Sequence, residues 1–200
     1  MTKIALKKGN SNKIQLKKVA PSLKKVLMKF NWTSDVKLDL DCSALLCRTN
    51  ARGIPEVLSP QHIVFYAATN AFDPSRSVFY GGDVRDGTGD FETIDINLET
   101  VPAEVTEIAF VLTIDDASGK QTFGHAKSGV LELLNQETND VILTFDFLED
   151  AHNQKTIIHV ASLKRDANGG WDVEGFGTGL PGSILDAFLA FGADEAWFEG

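Results

Sequence analysis

Short runs of alternating apolar and polar residues, separated by turn-forming clusters, dominate this chain. Ile4 and Leu6, then Ile14 and Leu16, flank Gly9-Asn10-Ser11-Asn12, and that spacing predicts an opening hairpin. Val36, Leu38 and Leu40 alternate with Lys37, Asp39 and Asp41, while Ile94, Ile96 and Leu98 alternate with Thr93, Asp95 and Asn97. Residues two apart on a strand share a face, so both segments predict half-buried strands. His62 to Ala67 and Glu107 to Ile114 are more continuously apolar, as strands covered on both faces are. Val141, Leu143, Phe145 and Phe147 share one face. The run from Thr156 to Leu163 leads to Asp166-Ala167-Asn168-Gly169-Gly170, a hairpin turn from which Trp171 starts the return strand. Helical signal is confined to two places. Ser183 to Asp186 has capping-box spacing, Ile184, Leu185, Phe188 and Leu189 form one stripe, and Gly192 supplies the stop. Gly124 to Ser128 is expected to form a single turn. About nine strands with close-spaced turns and no linker or repeat predict one domain over residues 1–200: an all-β antiparallel sandwich, Greek-key or jelly-roll-like, with a short C-terminal helix.

Composition narrows the class without changing this picture. The 200 residues are 43% hydrophobic and 24% charged, an ordinary globular balance. Purely apolar runs such as Ile108 to Leu112 fall far short of the roughly 18 residues a membrane-spanning helix needs. Residues 1–29 have neither an apolar core nor a small-residue cleavage site, so no secretory signal is expected and a cytoplasmic location is. Cys42 and Cys47 are the only cysteines and have no neighbouring pair or histidine with which to build a zinc site. His62, His125, His152 and His159 match no metal or triad spacing.

Charge is distributed in two blocks. Nine lysines and no acid fall within residues 1–34, leaving ten bases against 28 acids in the remainder, a net of −18 there. A body this acidic repels phosphate backbones, which argues against general nucleic-acid binding. Peripheral association of the lysines with an anionic membrane stays open, although Ile4-Ala5-Leu6-Lys7 alternates as a solvated strand does rather than as an amphipathic helix.

Candidate chemistry lies in two acidic segments. Asp39 and Asp41 share a strand face about 7 Å apart, where a bound cation or free solvation would relieve their repulsion. Gly81-Gly82-Asp83-Val84-Arg85-Asp86-Gly87-Thr88-Gly89-Asp90-Phe91-Glu92 carries four carboxylates and four glycines, a composition that lets a chain curl and aim oxygens inward. Calcium, with six to eight oxygen ligands in irregular cages, fits such a loop better than octahedral magnesium. The EF-hand spacing fails, because Val84 and Thr93 fall on ligand positions. A solvent-exposed acidic turn is the competing reading.

Ordered along nearly the whole chain are motifs that resemble the TerD family of tellurium-resistance and stress-response proteins. They run from Leu6-Lys7-Lys8-Gly9 and Ala20-Pro21-Ser22-Leu23 to Leu38-Asp39-Leu40-Asp41-Cys42-Ser43-Ala44, similar to the family's Phe-Asp-Leu-Asp-Ala-Ser-Ala. Gly82-Asp83-Val84-Arg85 resembles the Gly-Asp-Asn-Arg that opens the family's calcium loop. Ile114-Asp115-Asp116-Ala117, Leu134-Asn135-Gln136 and Gly177-Thr178-Gly179-Leu180 keep the family order. The resemblance implies a calcium-binding β-sandwich without established catalysis. It assigns ligands to Asp39, Asp41, Asp83, Asp90 and Glu92, with Asp116 a weaker member. This loop is about two residues shorter than the family's two-ion loop and has Val84 for Asn. Asp86, Thr88 and the carbonyls of Val84 or Gly89 are then the replacement oxygens, and one ion is expected before two. Asn31-Trp32-Thr33-Ser34 departs from the family's Gly-Trp-Asp at an expected core turn.

The leading expectation is therefore a non-enzymatic calcium-binding module that presents an ion-ordered surface to other stress-response proteins of this type. A metal-dependent hydrolase built on the aspartates is the alternative from another class, with Arg85 the one evident cation for a transition state. A calcium-dependent carbohydrate or small-ligand binder, using Phe91 or Tyr80, is the third.

Overall fold

A computed structural model describes residues 4–6, 13–82, 88–116 and 118–199. In chain order the strands are β1 (Ile4–Leu6), β2 (Lys13–Gln15), β3 (Lys25–Ser34), β4 (Leu40–Thr49), β5 (Pro55–Val57), β6 (Ile63–Val64), β7 (Val78–Tyr80), β8 (Thr88–Asn97), β9 (Glu107–Ile114), β10 (Ala126–Asn135), β11 (Val141–Asp146), β12 (Ile157–Arg165) and β13 (Trp171–Leu180). Helix α1 (Leu16–Val19) follows β2 directly, and α2 (Ile184–Ala190) follows β13. One sheet has the order β1-β11-β10-β3-β8-β7, the other β2-β13-β12-β9-β4-β5, with β6 also on β4. The two pack as a mostly antiparallel sandwich.

Alternation explains the layering. On β3, Val26, Met28, Phe30 and Trp32 turn inward, and on β8 Ile94 and Ile96 do, meeting Cys42, Ala44, Ile108, Phe110 and Leu112 from the facing sheet. The second sheet is also covered outside, where Leu45, Cys47, Ala109, Val111 and Ile157 pack against Ala187 and Phe188 of α2. That double covering is why β4 and β9 carry near-continuous burial. Helix α2 begins at Ser183 with a reciprocal capping box to Asp186, and Gly192 at φ +75° lies just past its end, as the sequence predicts.

Several expectations need correction. The opening hairpin does not form: β1 pairs in parallel with β11 (Ile4 opposite Leu143), whereas β2 pairs with β13 of the other sheet (Ile14 opposite Val173). Alternation identifies strands but not their partners, and Leu16 has already turned into α1. The strand expected from Val36 begins only at Leu40. Its partner β9 ends at Ile114, one further bond runs from Asp115 N–H to Asp39 O, and the partner chain then turns away. His62 to Ala67 contributes only Ile63–Val64. Trp32 lies within a strand rather than a turn, its indole N–H donating to Leu38 O at 3.3 Å. Among the described residues thirteen strands replace about nine: β3, β5, β7 and β10 are the additions, and of these β5 and β7 are too short for alternation to register. No described helix is long and apolar enough to cross a membrane.

Candidate functional site

The two acidic segments come together around Cys42. Strand β4 carries Asp41 on its outer face, buried to 4% exposure, where the sequence predicted a half-exposed position; the segment before α2 and residue Tyr66 close over it. Asp39 precedes the strand, half-buried, and its carbonyl receives the Asp115 N–H. The Cys42 amide points away from β9 and donates to Glu92 Oε2 at 2.5 Å. Glu92, at 1% exposure, is inward on β8, and its Oε1 accepts the Tyr80 hydroxyl at 2.6 Å. A buried carboxylate is tolerated only when donors replace its lost hydration, and a backbone amide and a phenol do so here.

Electrostatics follow from this packing. Burial pushes the Cys42 thiol well above its ordinary value, and the charges of Glu92 and then Asp41 push it further. Burial, with the charge of Glu107 beside it, also pushes the Cys47 thiol well up. Both thiols are therefore held protonated, which leaves oxygen as the ligand atom of this region.

Asp116 has a different role from the strand aspartates. Its Oδ1 accepts from Ser118 N–H, and its Oδ2 from the N–H groups of Lys120 and Gln121, both at 2.7 Å. The Ser118 hydroxyl and these amides hold its carboxyl far below the usual range. It thereby ties the turn after β9, which Gln121 anchors to Lys37 O at 2.8 Å. Asp41 and Asp116 line one cleft on the outer face of the second sheet, whereas Glu92 lies between the sheets. Gly89 and Asp90 lie at the start of β8. Asp83, Val84 and Asp86 lie outside the described residues. Among the described residues no three His, Cys, Asp or Glu side chains come together as a metal-holding group.

Sequence reasoning missed two participants. Tyr80 entered only as an exposed aromatic, yet its hydroxyl anchors Glu92 across the β7–β8 pair; Gly81-Gly82 between two alternating runs was the available signal. Thr113, inside an apolar run, gave none, yet it stands opposite Asp41 on the outer face. Phe91 is exposed, with the Lys29 ammonium 3.8 Å above its ring, a cation–π contact rather than an open ligand platform.

The TerD domain family model matches residues 1–190. Tellurium resistance protein TerD of Serratia marcescens is 33% identical, covering 96% of this chain and 99% of that protein. General stress protein 16U of Bacillus subtilis is also 33% identical, covering 94% and 97% respectively. Among solved structures, a homologue of telluride resistance protein (TerD) from Streptomyces coelicolor A3(2) superposes with a TM-score of 0.60 at 18% identity, covering 86% of this chain and all of that one, which speaks to the fold alone.

Proposed function

The chain belongs to the TerD domain family, and from that premise we propose that it is a non-enzymatic calcium-binding module that presents an ion-ordered surface to other stress-response proteins. The coarser description, a TerD-type tellurium-resistance or stress protein, follows from the family and its relatives. The observation that carries the finer reading is the fixation of Glu92. Its two oxygens are pinned by Cys42 N–H and Tyr80 OH, which holds the end of the acidic loop beside the Asp39–Asp41 segment.

The donor chemistry fits a hard cation. Asp39, Asp41 and Glu92 offer oxygen alone, and the adjacent Cys42 thiol is protonated. Calcium needs six to eight oxygens, more than these three side chains supply, so the proposal takes the rest from Asp83, Val84, Asp86, Gly89 and Asp90. Lysines of the basic block neutralise acids of the same chain: Lys13 meets Asp172 at 2.7 Å and Lys24 meets Glu99 at 3.0 Å. That internal use favours protein partners over nucleic acid or a membrane surface.

The test is metal content after purification with and without chelator, combined with thermal unfolding. A cation that binds only the folded chain stabilises it by about 2.7 kcal/mol at a hundredfold excess over Kd, or about 5–11 °C in Tm at this length. Magnesium is expected to do less, and Asp83→Ala to remove most of the shift. A Tm indifferent to calcium and chelator, with no copurifying metal, overturns the reading.

A further inference from the structure

The turn that follows β9 has both ends pinned to one place. Ile114 N–H donates to Thr156 O at 3.1 Å and Phe123 N–H to Lys155 O at 2.9 Å, and the Phe123 ring is buried. From that base the turn reaches the segment that leads into β4. Residues 37–39 precede the strand, where the β4–β9 ladder has ended, yet their three successive carbonyls are each met by a donor. Gln121 Nε2 donates to Lys37 O at 2.8 Å, the Trp32 indole to Leu38 O at 3.3 Å and Asp115 N–H to Asp39 O at 3.1 Å. The first and last of these donors lie on either side of Asp116 in the chain. Asp116 ties them together: its Oδ2 accepts the Gln121 N–H at 2.7 Å, so Gln121 is held at its backbone by Asp116 while its side chain holds Lys37.

We propose that Gln121 and Asp116 are positioning residues that clamp the Asp39 segment before an ion arrives, and so set the affinity of the site without touching the ion. The inference rests on the calcium reading and adds to it a device outside the ligand set. Asp41 lies within the ladder opposite Thr113 and is placed by strand pairing. Asp39 lies before the ladder, so its backbone depends on the turn. A group ordered before binding costs little more to immobilise, whereas one that moves freely is ordered at the expense of affinity. Asp116 directs both oxygens into its own turn. Its Oδ1 takes the Ser118 N–H at 2.9 Å and the Ser118 hydroxyl at 2.7 Å, and its Oδ2 takes the N–H groups of Lys120 and Gln121. The clamp therefore gives this carboxylate a reason to stand beside the acidic strand other than ligation.

The test uses the full-length, ¹⁵N-labelled protein and two variants: Gln121→Met, which keeps the length and neutrality of the side chain but removes its donor, and Asp116→Ala. Hydrogen exchange in chelator reads the clamp without any ion. The Asp115 amide is expected to exchange about two- to tenfold faster in both variants, the range that loss of one neutral hydrogen bond gives, while amides within the β4–β9 ladder keep the parent's rates. That selectivity separates positioning from a general loss of stability. Titration with calcium, followed in the same spectra, is expected to give a Kd about two- to tenfold weaker in both variants. Residues that merely stabilise the turn would leave that Kd at the parent's value, and such a result overturns the proposal. So does Asp115 exchange unchanged in both variants. A Kd that Asp116→Ala weakens and Gln121→Met leaves intact overturns it as well, since Asp116 would then act as a ligand. A parent that binds no calcium overturns the calcium reading instead, and exchange in chelator then decides the clamp by itself.

Discussion

Replacing Tyr80 by Phe removes one oxygen from the molecule and, by the geometry around Glu92, a measurable share of its stability. The ring stays, so packing against the core is retained. What disappears is the 2.6 Å donor to Glu92 Oε1. Glu92 is 1% exposed, so water cannot take the phenol's place. A hydrogen bond to a charged group contributes about 1.5–3 kcal/mol. In a chain of 200 residues each kcal/mol moves Tm by about 2–4 °C, which places the expected drop at about 3–12 °C. Differential scanning calorimetry in chelator measures it, and urea unfolding with an unchanged m-value confirms that native stability is what changed. The attribution to Glu92 needs a double-mutant cycle. In a Glu92→Gln background the partner is neutral, and Tyr80→Phe is expected to cost less than in the parent. A Tm within about 1 °C of the parent, or an equal drop in both backgrounds, refutes the argument that this carboxylate depends on the phenol.

Two further outcomes follow from buried groups elsewhere. Burial, with Lys164 nearby, lowers His159 from 6.5 to about 4, and its ring stacks on Phe176 at 4.4 Å. The unfolded chain binds that proton more tightly, so the associated stability is full above pH 6.5 and is lost as pH falls toward 4. A shift of that size corresponds to about 3 kcal/mol. Urea unfolding from pH 7 to 4 is expected to show this slope, and His159→Gln to flatten it. At Gly129 on β10, an added Cβ would lie 2.7 Å from Cζ of the buried Phe147 and closer still to Cε2. Gly129→Ala is expected to lower unfolding free energy by about 1–3 kcal/mol, and an unchanged urea midpoint would show that the ring yields freely.

What the sequence made legible was local. The capping box at Ser183, the turn at Asp166 to Gly170 and the alternation of β8 depend on neighbours within a few residues, and each stands where its pattern puts it. Partner choice is not local: Ile4 and Ile14 read as strand residues, but nothing near them states that Leu143 and Val173 lie opposite. The same limit applies to the site. Asp41 and Glu92 stand out as carboxylates, yet their depth depends on what folds over them, the segment before α2 for one and the facing sheet for the other. Thr113 in an apolar run carries no mark until the Asp41 ladder places it at the cleft.

The division of β1 and β2 between the two sheets sets a timetable for synthesis. Each is the outermost strand at one end of its sheet, and their partners follow 139 and 159 residues later, counting Ile4 to Leu143 and Ile14 to Val173. At about 5–20 residues per second, they leave the ribosome roughly 7–30 s before anything exists for them to pair with. For that interval they are bare strands, the kind of segment that recruits the wrong partner. The lysine block that contains them gives the nascent chain mutual repulsion during the wait. The acid that pairs with Lys13, Asp172, arrives within β13 itself, the strand that ends the wait of β2.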